Sequence, residues 1–99
     1  MADTEKDFQA RVIEYAVLMG WMVYHTYDSR RSNPGWPDLV LVQGRTMLVL
    51  ELKSEKGKVT DAQAKWVDAL DEVRRVEAGV YRPSDEESIQ KALKRRGKW

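Results

Sequence analysis

Residues 37–53 read PDLVLVQGRTMLVLELK, and the rest of the chain is arranged around them. Leu and Val dominate 38–43 and 46–53, so each half reads as a short strand. Gly44-Arg45 between them suits a two-residue turn with glycine first, the type II′ hairpin. That turn sets Gln43 opposite Thr46, and the register then carries Asp38 directly across from Glu51. Lys53 lies two residues past Glu51, on the same face of the strand.

Directly opposed side chains have Cβ atoms about 5 Å apart. Two carboxylates at that separation repel by roughly 3 kcal/mol at an effective dielectric of about 20. Their neighbours here are apolar, so water screens them poorly. A divalent cation between the acids removes the conflict. Mg²⁺ is typically held by one or two carboxylates plus waters and substrate phosphates. A lysine alongside would hold a phosphate oxygen or an attacking water. The hairpin alone also admits a frayed end with solvated acids.

Leu39, Leu41, Leu48, Leu50 and Leu52 share one face of the hairpin. Val40, Val42, Met47 and Val49 share the other, with Asp38, Glu51 and Lys53 at its end. A strand pair apolar on both sides needs cover on both sides. This predicts an α/β sandwich with helices on each face.

Working outward, Thr4 to Met19 reads as an amphipathic helix. Thr4 and Asp7 open it, Phe8, Val12, Tyr15, Ala16 and Met19 form one face, and Gly20 ends it. Glu5 shares that apolar face, nearly two turns before Val12. Periodicity by itself favours Glu5 as a first-turn acid complementing the helix dipole. Trp21 to Thr26 is the first strand. It carries His25, the one histidine, which is either structural or a phosphate contact. The loop 27–36, YDSRRSNPGW, brings Ser29, Arg30 and Arg31 up to Pro37-Asp38. Guanidinium groups pair well with phosphate oxygens, and serine can add a hydrogen bond. Trp36 either stacks on a base or covers the core.

Beyond the hairpin, Lys56 and Lys58 either follow a nucleic-acid backbone or serve as surface charges. Thr60 and Gln63 form a capping box for a second helix running to about Arg74, with Trp66, Val67, Leu70 and Val73 inward. Val76 to Arg82 is the last strand, stopped by Pro83. Ser84 with Glu87 would cap a final helix holding Ile89, Ala92 and Leu93 inside. Its cations Lys91, Lys94, Arg95, Arg96 and Lys98 suit either a helix C-terminus or nucleic acid. The order is helix, three strands, helix, strand, helix. The last strand crosses over by a helix, so it should lie parallel to its neighbour.

At 99 residues the chain reads as one domain, 1–99, with one core. A net charge of +1 gives no overall basic field, so any nucleic-acid binding must come from local patches. With no cysteine there is no disulfide framework, no thiolate zinc site and no cysteine nucleophile. The start, MADTEKD, lacks the apolar region of a secretory signal, and no apolar run approaches membrane-spanning length. A cytoplasmic protein with no membrane contact is expected.

Pro37-Asp38 followed by Glu51-Leu52-Lys53 resembles the PD-(D/E)XK nuclease signature. The wider string is more specific: Gly35-Trp36-Pro37-Asp38-Leu39, Glu51-Leu52-Lys53, Gly57, Gln63 and Trp66. It resembles the virus-type replication and repair nuclease family, VRR-NUC, from Glu5 to about Asp85. The resemblance implies a restriction-endonuclease-like αβββαβ core with a C-terminal helix. It further implies a Mg²⁺-dependent (or Mn²⁺-dependent) endodeoxyribonuclease with no organic cofactor, selective for structured DNA such as a junction or a nick. Asp38 and Glu51 would hold the metal with the Leu52 backbone carbonyl and Glu5. Lys53 would position water or the transition state, and Gln63 would orient the lysine or the water. His25, Ser29, Arg30, Arg31, Lys56 and Lys58 are the expected nucleic-acid contacts. Symmetric cutting of a two-fold junction needs two sites, so a homodimer is expected. The alternative is a non-cleaving nucleic-acid-binding or assembly module that keeps the fold.

Overall fold

Gly44, with φ 59°, makes the tight turn between β2 (Leu39–Gln43) and β3 (Thr46–Leu52). The computed structural model describes residues 4–27 and 33–96. Gln43 pairs with Thr46 and Leu39 with Leu50, the register expected from a two-residue turn. β1 (Met22–His25) lies antiparallel on the other side of β2. β4 (Val76–Tyr81) runs parallel to β3, from Met47 beside Val76 to Leu52 beside Tyr81. The sheet order is therefore β1-β2-β3-β4. With α1 (Glu5–Leu18), α2 (Asp61–Asp71) and α3 (Glu86–Arg96), the chain has the αβββαβ core and C-terminal helix.

The two faces of the hairpin separate as the alternation demands. Leu39, Leu41, Leu48, Leu50 and Leu52 are buried with Phe8, Val12 and Ala16 of α1 and Ile89 and Leu93 of α3. Two polar contacts seal this layer. The Trp21 indole N–H donates to the Leu93 carbonyl at 3.1 Å, and Gln43 Nε2 donates to the Met19 carbonyl at 3.2 Å. Thr4 caps α1 by accepting the Asp7 N–H at 3.0 Å, and Gly20 leaves the helix with φ 88°.

On the opposite face α2 packs over β4 and β3, burying Val67 and Val49. Cover on both faces is present, though α2 leaves the β1 half open. Met22 and Tyr24 there are 76% and 60% exposed. α2 also stops at Asp71, short of Arg74. Its last turns close with i−3 hydrogen bonds from Glu72 and Val73, and Arg75 takes φ 68° to aim the chain into β4. Val73 therefore lies outside the helix and is 52% exposed instead of inward.

The start of α3 differs as well. Pro83–Asp85 is a 3₁₀ turn, and Asp85 Oδ2 accepts the Arg82 N–H at 2.9 Å. Ser84 does not cap the helix, because its N–H and Oγ both donate to the Glu55 carboxylate. Among the described residues, no helix is long and apolar enough to cross a membrane.

Candidate active site

The approach to Asp38 explains why Gly-Trp-Pro precede it. Gly35 has φ 92°, a region that favours glycine. A Cβ there would sit 2.5 Å from the Ala62 carbonyl carbon and oxygen, so the loop rests directly on the first turn of α2. Trp36 packs at 80° against Trp66 of α2, ring centroids 5.1 Å apart. The Trp66 indole N–H donates to the Pro34 carbonyl at 3.1 Å. Pro37 is buried. From the other side, Thr26 Oγ1 donates to the Pro37 carbonyl at 3.1 Å and the Thr26 N–H to the Asp38 carbonyl at 2.9 Å. The backbone of Asp38 is thus held between β1 and α2.

One step past the Leu39–Leu50 pair, the register brings Asp38 across from Glu51. Asp38 Oδ2 accepts the Leu52 N–H at 2.9 Å. Lys53, on the same face, sends its N–H the other way to the Tyr81 carbonyl, so alternate peptides of β3 face β2 and β4. The N–H and C=O of one strand residue point to the same side. The Leu52 carbonyl therefore faces the side of β2, where the two acids stand.

Glu51 is only 2% exposed. Its Oε1 is buried with no hydrogen-bond partner among the described residues, and its Oε2 lies 3.8 Å from Lys53 Nζ. Burial is the main cause that pushes the Glu51 carboxyl up to about 8; the Asp38 charge and a carboxyl–carboxyl hydrogen bond to Asp38 add to it, and Glu5 contributes a little. Lys53 pulls the other way without offsetting them. Without a cation, the site favours the neutral form of Glu51. A buried acid with one orphaned oxygen and a second acid opposite is the donor set that a hard cation satisfies. Among the described residues no three acidic or histidine side chains converge into an all-protein cage.

The other expected site residues divide. Glu5, the first residue of α1, is exposed and near enough for its charge to act on Glu51. Gln63 spends its Oε1 on the capping box, accepting the Thr60 N–H at 2.9 Å, so any contact it makes with the site must come from Nε2. His25 pairs with Leu39, which puts it on the leucine face, away from the acids, with its ring 4.4 Å from that of Tyr27. Lys56 and Lys58 are exposed on the connection that follows β3. Ser29, Arg30 and Arg31 lie outside the described residues.

Arg82 has a role that the sequence reading did not give it. Its Nη1 donates to the carbonyls of Ser54, Glu55 and Gly57 at 2.6, 3.0 and 2.9 Å. This ties down the connection immediately after Lys53. Nothing local marks it; the partner segment is 25 or more positions away.

No curated protein and no solved structure gives a significant match to this chain. A family model does match: that of the VRR-NUC domain, over residues 5–85. That span takes in α1, the whole sheet, α2 and the 3₁₀ turn, including every element that shapes the Asp38–Glu51–Lys53 cluster, and the chain belongs to the VRR-NUC family of nuclease-type domains.

Proposed function

We propose that this domain is a Mg²⁺- or Mn²⁺-dependent endodeoxyribonuclease. The observation that carries the reading is the buried Glu51 Oε1, without a hydrogen-bond donor among the described residues, opposite Asp38 and with Lys53 Nζ alongside. Asp38, Glu51 and the Leu52 carbonyl would hold the cation, with Glu5 as an outer acid. Bound there, it would polarise a phosphate oxygen and lower the pKa of a coordinated water.

The chain's own groups do the rest. The Leu52 N–H fixes the direction of the Asp38 carboxylate, whose oxygens would serve the ion. Lys53 Nζ donates to the attacking water or to a non-bridging phosphate oxygen, where negative charge grows in the transition state. The water oxygen gives up one proton to solvent and bonds to phosphorus as the opposite phosphorus–oxygen bond breaks, and the leaving oxygen takes a proton from solvent. Gln63 Nε2 would orient Lys53 or the water. His25, Ser29, Arg30, Arg31, Lys56 and Lys58 remain the proposed contacts to flanking phosphates, His25 at a point of the substrate distant from the acid pair.

The substrate in this reading is structured DNA, a junction, flap or nick, cut in the cytoplasm by a homodimer whose two sites serve the two strands. The test is cleavage of labelled linear duplex, single strand, flap, nicked duplex and four-way junction in Mg²⁺ or Mn²⁺. Products from the structured substrates, absent in EDTA and with Asp38→Asn, support it. Mg²⁺-indifferent binding with no product from any substrate would favour the non-cleaving module instead. Light scattering at cleavage concentrations should give twice the monomer mass; a monodisperse monomer that still cuts junctions would refute the dimer.

A further inference from the structure

A cavity of about 410 Å³ opens between the 33–34 segment and α2, lined by Asn33, Pro34, Ala62, Lys65, Trp66 and Ala69. It is separate from the acid pair, yet the same short loop builds both. Pro34 is four residues before Asp38, so their Cα atoms are at most about 14 Å apart. That is a span of only a few nucleotides.

The walls of the cavity are unusually fixed for a surface hollow. The Trp66 indole N–H is engaged by the Pro34 carbonyl, and Trp36 braces the ring at 5.1 Å. Gly35, pressed against the Ala62 backbone, stops the loop from drifting. Trp66 is therefore held in place as part of the cavity wall. Asn33 supplies a carboxamide that both donates and accepts, and exposed Lys65 supplies a cation.

We propose that this cavity is a subsite for one unpaired nucleobase of the substrate, stacked on Trp66, with Lys65 on its phosphate. The volume lies within the range of small-molecule sites, about 300–1,000 Å³. An aromatic wall with a cation beside it is the arrangement that holds single strands without reading sequence. A base inside a duplex cannot enter, whereas a base at a flap, nick or junction can. The subsite would therefore select strand state rather than sequence. This inference rests on the nuclease reading only for its substrate; the binding itself needs no cleavage.

The test separates the two. Fluorescein-labelled single-stranded oligothymidylate and a blunt duplex of equal length are titrated with wild-type protein in EDTA and followed by anisotropy. Ala69→Phe plugs the cavity from its exposed rim without replacing Trp66 or Asp38; Ala69→Met is the smaller plug should the first lower Tm. Lys65→Ala removes the cation. Each variant is expected to weaken single-strand binding at least about fivefold and duplex binding less than twofold. Unchanged single-strand binding by the plugged variants, an equal loss on both substrates, or no single-strand binding by the wild type overturns the subsite. Cavity-dependent binding without any cutting in Mg²⁺ or Mn²⁺ would sink the nuclease reading alone. Normal cutting with no dependence on the cavity would sink the subsite alone.

Discussion

Asp38 Oδ2 accepts the Leu52 backbone N–H at 2.9 Å, just past the last pair of the hairpin, Leu39 with Leu50. A side chain here takes the place of a backbone partner and fixes the direction of the carboxylate. Structure and chemistry in Asp38 are therefore separable. Asp38→Asn keeps an oxygen for Leu52 and loses the charge. It should leave Tm unchanged or slightly higher while cutting Mg²⁺-dependent cleavage at least about a hundredfold. Asp38→Ala also strands the Leu52 N–H, which costs about 1–3 kcal/mol. Melting curves of the two variants should differ by several degrees.

Glu51 gives the protein a pH signature. Its folded pKa of about 8 lies above the usual 4.5, so the folded chain binds the extra proton between those values. Stability in EDTA should be full near the lower value and fall as pH rises toward 8, by up to about 5 kcal/mol. Glu51→Gln carries no titrating group and should lose that part of the slope. Urea unfolding of both proteins at pH 5.5 and pH 8.5 measures the difference. Equal slopes would mean that Glu51 is not held neutral.

Gly35→Ala should damage both fold and site. The new Cβ meets Ala62 backbone at 2.5 Å and φ 92° is strained for alanine. A loss of about 2 kcal/mol or more is expected, equivalent to a Tm drop on the order of 10 °C. Cleavage should fall further than stability explains, because the Asp38 backbone moves with the loop. A variant with wild-type Tm would show that the loop relaxes freely.

Arg82→Ala should cost about 2–3 kcal/mol, since the Ser54, Glu55 and Gly57 carbonyls lose a charged donor. Arg82→Lys should restore only part of that, because an ammonium lacks the planar donor fork. Hydrogen exchange should rise at residues 54–57 first. Uniform change along the chain would argue against a local tether.

The hairpin was legible because one turn fixes the register of every pair, and because leucine and valine sort cleanly by face. Thr4, Gly20, Thr60 and Gln63 mark helix ends through local chemistry, and they were legible for that reason. The misses involve partners distant in sequence or backbone states without a residue signature. Arg75 enters a left-handed conformation with no glycine or asparagine to announce it, so α2 was drawn too long. Ser84 looked like a cap, but Glu55 captures it across 29 positions. Arg82 carries no local mark of its role for the same reason, its partners lying 25 or more positions away. In the site, the acid pair and lysine followed from strand parity. The same parity places His25 on the other face once β1 is seen to pair with β2.

The most direct test of the central claim is a thermal melt at pH 8 during titration with Mn²⁺, on wild type and Glu51→Gln. A ligand at 100 times its Kd adds about 2.7 kcal/mol to the folded state. Wild type should therefore gain on the order of 10 °C, and Glu51→Gln almost nothing. A wild-type Tm indifferent to Mn²⁺, or an equal rise in both proteins, would contradict a cation site between Asp38 and Glu51.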